Sequence, residues 1–166
     1  MTPVPDLLTH VLAGYTLATA LRVRFDWLSP AYVTVCMAGA LLPDTAKLYL
    51  VVPDAAVATL LGVPFSWYVL HTLGGVVVTA SVGGVLARRA DWLRVVGLLS
   101  LGAVSHLAAD GLLLTGSGHS KPMLWPLVRV GLPTPGLYLS TEPTPLVVTG
   151  VAAVAVSLFV RRVRPS

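Results

Sequence analysis

The sequence is short of charge. Only 11% of its 166 residues are Asp, Glu, Lys or Arg, while 55% are hydrophobic and the mean hydropathy is +0.83. Soluble domains carry about a quarter charged residues, so this composition excludes an ordinary water-soluble globule. Cysteine is nearly absent. Cys36 stands alone, which excludes an intrachain disulfide and a thiolate metal cluster and leaves a buried thiol as inert packing. Lys and Arg are missing ahead of the first apolar run, where Asp6 stands instead. A cleavable signal peptide needs a positive leading segment. Ala18-Thr19-Ala20 looks like a cleavage site, but Arg22 and Arg24 follow at once, and the run reads as a retained span. Aromatics make up 7% of the chain and do not alternate with basic residues. The formal charge of +4 therefore does not point to nucleic acid.

What the chain does have is apolar runs near the length a bilayer requires, about 20 residues for a helix. They predict an all-α polytopic bundle of about five transmembrane helices, a single integral membrane domain over residues 1–166. Span 1 runs from an N-cap at Asp6 to about Leu21. Span 2 starts after Pro30 and runs from about Ala31 towards Val52, broken at Pro43, where a backbone donor is lost. Asp54 to Pro64 is too short to cross and reads as a re-entrant or interfacial segment. Span 3 covers about Ser66 to Ala87, span 4 about Leu93 to Thr115, and span 5 about Leu146 to Val160. Between the last two lies a Pro- and Gly-rich stretch, 116–145, read as an extracytoplasmic loop capping the bundle at the membrane surface.

Charge sets the expected orientation. Arg22, Arg24, Arg88, Arg89, Arg94, Arg161, Arg162 and Arg164 fall on one side of this arrangement, and only Lys47, Lys121 and Arg129 on the other. The positive-inside rule then puts the N-terminus outside and the C-terminus in the cytoplasm of a cell-membrane protein.

Against this apolar background, five ionisable residues stand out: His10, Asp44, His71, His106 and Asp110. His106 and Asp110 are four apart and share a helix face. Counted from the outer ends of spans 1 to 4, at 1.5 Å per residue, all five fall within roughly 6–14 Å of the outer boundary. Small residues sit one turn from each: Gly14 and Ala18 follow His10, Ala40 precedes Asp44, Gly75, Thr79 and Gly83 follow His71, and Gly102 precedes His106. Such spacing lets membrane helices approach closely, which makes the polar stripes the contact faces.

Three histidines and two carboxylates suit a divalent ion: zinc first, with manganese or iron as alternatives. A metal-bound water attacks esters or phosphoesters, and a carboxylate left free of the ion, Asp44 or Asp110, takes its proton. Any one of these groups alone could be a structural hydrogen-bonding residue, and His106 with Asp110 a structural pair. All five together are costly in lipid, which favours a functional site. His119, in a Gly-Ser loop, reads as solvated surface. Lys47 either neutralises a substrate phosphate or anchors at the interface.

Thr9-His10 with Gly14, Gly39-Ala40-Leu41-Leu42-Pro43-Asp44, His71-Thr72, Ser105-His106 with Asp110, and Leu124-Trp125-Pro126-Leu127 together resemble the YdjM-like family of inner-membrane proteins described as metal-dependent hydrolases. The resemblance spans nearly the whole chain and implies a metal-dependent activity centred on His10, Asp44, His71, His106 and Asp110. Two positions depart from the family pattern. Ala46 stands where the family has a second Asp, and Ser66-Trp67 where it has His-Arg.

The leading expectation is therefore an outward-facing, membrane-embedded hydrolase whose substrate is an ester or phosphoester, with membrane lipid as environment or substrate source. The alternative is a non-catalytic scaffold or partner subunit that keeps the His/Asp cluster for folding. A transporter is disfavoured because the inner halves of the spans lack polar residues. The glycines of span 3 would also suit a homo-oligomer contact.

Overall fold

The computed structural model describes residues 4–164, with side chains from Leu7 onward; the Asp6 cap expected from the sequence lies outside the described side chains. Among the described residues the chain is all-helical, with two isolated β-bridges and no strand. It forms helices α1 (Val4–Leu21), α2 (Pro30–Leu41), α3 (Asp54–Leu61), α4 (Leu73–Leu86), α5 (Trp92–Asp110) and α6 (Thr144–Val163). Two 3₁₀ segments, Pro43–Leu50 and Trp67–His71, lie between them. Helices α5 and α6 are long and apolar enough to cross a membrane, while α1, α2 and α4 are apolar but shorter.

Local chemistry explains most boundaries. Pro30 occupies the first turn of α2, where its missing N–H costs nothing. Pro43 ends that helix and opens the first 3₁₀ segment, because a proline ring cannot continue an α-helical hydrogen-bond ladder. Gly62 closes the exposed helix α3 in the left-handed conformation, φ 68°, where a side chain would be strained.

The structure corrects three expected spans. The third does not start at Ser66, and it splits at Thr72. The Thr72 hydroxyl donates to the Val69 carbonyl and accepts from the Gly75 amide, at 2.7 and 3.2 Å. This separates the 3₁₀ turn carrying His71 from α4, so His71 precedes the helix rather than lying inside it. The fourth span ends at Asp110, not Thr115. Beyond it the backbone pairs with the long loop, Leu114 N to Tyr138 O at 2.8 Å and Leu137 N to Leu112 O at 2.9 Å. The fifth is longer than expected, reaching Thr144–Val163.

Helices α2 and α5 form the centre, with α1 across both and α4 beside α5; α6 leans on α1. The α2–α5 contact is backbone on backbone. A Cβ at Gly102 would overlap the Cys36 carbonyl, and one at Gly39 would overlap the Leu99 backbone. Gly14 brings α1 to the same place: a Cβ there would lie 3.2 Å from Ala40 Cβ and from the Cys36 carbonyl. Gly83 and Gly84 of α4 meet Leu99 and Trp92 of α5, so these two are occupied within the chain. Gly75 packs against the backbone of the preceding 3₁₀ turn.

Candidate metal centre

The close approach of α1, α2 and α5 delivers three polar side chains to one point. His10 of α1 and His106 of α5 are each 1% exposed, and their rings stack with centroids 3.7 Å apart. Asp44 enters from the 3₁₀ segment beyond Pro43, its side chain 8% exposed. His71 arrives from the turn before α4, and its ring lies 5.1 Å from that of His106. Asp110, in the last turn of α5, sits among the histidines: its carboxylate oxygens lie 3.3 Å from His10 Nε2, 2.8 Å from His71 Nε2 and 3.5 Å from His106 Nε2. All five residues singled out in the sequence meet here. His119 does not; it is exposed and bonds within its own loop.

The ring orientations carry chemical information. His71 Nδ1 faces the Pro43 carbonyl at 3.2 Å, and His106 Nδ1 faces the Ala40 carbonyl at 2.8 Å. A carbonyl only accepts, so both Nδ1 atoms carry a proton. In a neutral ring the Nε2 lone pair then points inward, at the carboxylates. For His71 this puts a lone pair 2.8 Å from Asp110 Oδ2, an arrangement that requires a cation or a proton between them. Protonating every ring would place two positive charges in the His10–His106 stack at low dielectric, which Coulomb repulsion opposes. A divalent ion resolves both problems. Backbone carbonyls on Nδ1 are also the usual second contacts of metal-binding histidines.

Two further observations fit an ion. His106 Nε2 and Asp44 Oδ2 are buried and make no hydrogen bond among the described residues, a costly state unless something else is bound. Ligand atoms of His10, His106 and Asp110 lie within 4.8 Å of one another, as do those of Asp44, His71 and His106. The two groups share His106. The donor set of imidazoles and carboxylates could hold a divalent ion, and the geometry by itself does not choose among metals.

A cavity of about 440 Å³ opens directly over this cluster, lined by Asp44, His71 and Asp110 together with Lys47, Tyr68 and Lys121. Lys47 is 2.7 Å from Asp44 Oδ1, and Lys121 lies over the Tyr68 ring at 5.1 Å. Tyr68 sits on the 3₁₀ turn before α4, outside the apolar helices. Burial, with the Asp110 charge adding to it, pushes its phenol up to about 12, so it remains neutral. Its hydroxyl is buried and makes no hydrogen bond among the described residues.

Sequence reasoning missed Tyr68 and Lys121. Both come from segments without helical periodicity, and only the return of the long loop brings Lys121 near. That loop also closes the start of α4: the carbonyls of Met123 and Trp125 accept from the Leu73 and Gly74 amides, at 2.7 and 2.8 Å. These are helix-start donors with no partner inside the helix. Leu124-Trp125-Pro126 is thus a clasp beside His71, and Gly74 lets the Trp125 ring approach, since a Cβ there would lie 2.9 Å from it. Ser120, Lys121 and Met123 make the loop one wall of the cavity.

Comparison with curated proteins and with solved structures returns no match. The family model does match. An all-helical chain with two membrane-length apolar helices and a buried His/Asp cluster fits that result, and the model of the YdjM inner membrane protein family covers residues 6–164: the chain belongs to this family of inner-membrane proteins.

Proposed function

We propose that this protein is a metal-dependent hydrolase of phosphoesters, working at the outer face of the inner membrane. Helices α1, α2, α4, α5 and α6 would be its five spans, with the N-terminus outside and the C-terminus cytoplasmic. Supporting that orientation, the eight Arg residues stand at the end of the bundle away from the His/Asp cluster, the asymmetry that the positive-inside rule assigns to the cytoplasmic side. The observation that carries the proposal is the lone-pair conflict between His71 Nε2 and Asp110 Oδ2, beneath a cavity that also holds two lysines.

His10, His71, His106 and Asp110 would hold the ion, with Asp44 at its edge; zinc heads the candidates, followed by manganese and iron. A bound ion would supply Lewis-acid charge, which lowers the pKa of water towards neutrality and offsets phosphate charge. Asp44, with Oδ2 lacking a hydrogen bond, accepts the proton of the attacking water. The new bond forms between water oxygen and phosphorus, the ester P–O bond breaks, and the leaving alcohol takes the proton back from Asp44. Lys47 and Lys121 face the phosphate oxygens, and the Tyr68 hydroxyl donates to one of them. This lysine pair is what favours a phosphoester over a carboxylic ester.

A second reading, a non-catalytic scaffold with a structural cluster, has its own support. Ala46 and Ser66 replace residues of the family pattern, and Ser66 here caps the 3₁₀ turn by accepting from the Tyr68 amide at 3.3 Å. Elemental analysis of the detergent-purified protein separates the two. Near-stoichiometric metal, lost in His106→Ala, with hydrolysis of a chromogenic phosphoester lost in both His106→Ala and Asp44→Ala, is the expected result. A metal-free protein that stays inactive after loading would leave the scaffold reading.

A further inference from the structure

The opposite end of the bundle holds a second polar cavity. It measures about 530 Å³ and lies between α1 and α6, lined by Tyr15, Thr19, Arg22, Ser157, Arg161 and Arg164. Arg22 is twelve residues beyond His10 on the same helix line, about 18 Å away at 1.5 Å per residue. The cleft is therefore separate from the metal centre.

Its floor is unusual for a helix interface. Several helical hydroxyls return to their own backbone: Thr16 to Leu12 O, Thr79 to Gly75 O, Thr149 to Pro145 O and Ser157 to Ala153 O. Thr19 does not. It is 2% exposed, and its Oγ1 makes no hydrogen bond among the described residues. A buried hydroxyl left this way is costly unless a ligand completes it. Beside it, the Tyr15 hydroxyl lies 2.7 Å from Ser157 Oγ, which ties the two helices together across the floor.

The rim is cationic. Arg164 is fixed in place by Asp26 at 2.6 Å and the Val23 carbonyl at 3.0 Å. Arg22 and Arg161 have no ion-pair partner among the described residues. Three guanidinium groups thus face one carboxylate, the signature of an anion site rather than of a neutralised helix end. The cleft continues into an apolar groove of about 350 Å³ along Ala153, Val154 and Leu158, and shares Tyr15, Ser157 and Arg161 with it. A polar pocket that runs into an apolar groove on the membrane-facing side matches an amphiphile, head in the pocket and chain in the groove.

We infer that this cleft binds the phosphate headgroup of an anionic phospholipid, with Arg22, Arg161 and Thr19 on the phosphate and an acyl chain along α6. Basic pockets between membrane helices on the cytoplasmic side hold such headgroups, and positive-inside anchoring alone requires neither the cavity nor the unpartnered hydroxyl. The inference does not depend on the hydrolase proposal.

Native mass spectrometry of the full-length protein, delipidated and then offered phosphatidylglycerol or phosphatidylcholine, tests it. Phosphatidylglycerol should be retained about thirtyfold more strongly, as two guanidinium contacts would give. Arg22→Gln with Arg161→Gln should bring retention down to the phosphatidylcholine level, and Thr19→Val should weaken it severalfold. Arg24→Gln with Arg162→Gln, the same charge loss outside the cleft, should leave retention unchanged. Equal retention of the two lipids, or an equal loss in both double variants, would overturn the inference. So would inorganic phosphate at millimolar concentration displacing the lipid completely, because the cleft would then be a soluble-anion site.

Discussion

Helices α5 and α6 are both long and apolar, yet they play opposite parts. A third of the apolar window of α5 is buried inside the protein, against 11% for α6. The difference lies in which residues each helix places on its contact face. Gly102 lets α5 touch the α2 backbone, and that contact holds His106 against Ala40 and Asp44. Helix α6 leans on α1 through Tyr15 and Ser157 and leaves Val147, Val148, Val151 and Val154 exposed. In a bilayer, hydrophobicity does not distinguish a core helix from a peripheral one, because lipid is as apolar as leucine. Close packing and polar contacts do.

The largest effect should come from the residue that ties the α5 side together. Asp110→Ala removes the carboxylate shared by three histidines. It should abolish metal content and phosphoester hydrolysis and destabilise the fold by about 3–5 kcal/mol, the cost of breaking a buried ionic contact. Elemental analysis and thermal unfolding in detergent read both. Asp110→Asn, which keeps the shape, should lose the metal but recover part of the melting temperature. If it bound metal normally, the centre would not be organised around that carboxylate.

Next comes the packing that delivers the site. Gly102→Val pushes a side chain into the Cys36 carbonyl and should cost about 3 kcal/mol, at the upper end for overpacking. It should also lower metal occupancy although no ligand is changed. A thermal melt matching the unmodified protein would mean that the α2–α5 contact is looser than described.

Lys121→Ala tests the cavity rather than the ion. Metal content should stay unchanged while KM for a phosphoester rises severalfold, about 1 kcal/mol for a partly solvated charge contact. A fall in kcat alone would place Lys121 in the chemical step instead of in binding.

The smallest effect is expected on α6. Val151→Leu adds volume to an exposed face and should change stability by no more than about 0.5 kcal/mol, with metal content intact. A loss of several kcal/mol there would show that α6 has a partner, such as a second copy of the chain.

Much of the site is legible in the sequence. An ionisable residue in an apolar run is expensive wherever the helix turns, so composition alone marks His10, Asp44, His71, His106 and Asp110. The four-residue spacing of Gly14, Ala40 and Gly102 from the polar groups also predicts their contact face, because that spacing fixes angular position on a helix. The limits of the helices were harder to read. Thr72 starts α4 by capping it with its own hydroxyl, and beyond Asp110 the backbone pairs with the distant long loop instead of continuing the helix, so His71 and Asp110 fall at helix ends rather than within spans.

Membrane character, helical class and the five residues of the cluster can be read from the chain alone, since hydropathy and the cost of burying charge act residue by residue. Which atoms face one another depends on the folded packing of distant segments. That packing turns Nδ1 of His71 and His106 to backbone carbonyls from α2 and the segment after it, so that their Nε2 atoms meet the carboxylates. It also folds the long loop back to set Lys121 over Tyr68. Those contacts join segments far apart in the chain, and their geometry is set by close packing of backbones that no local periodicity encodes.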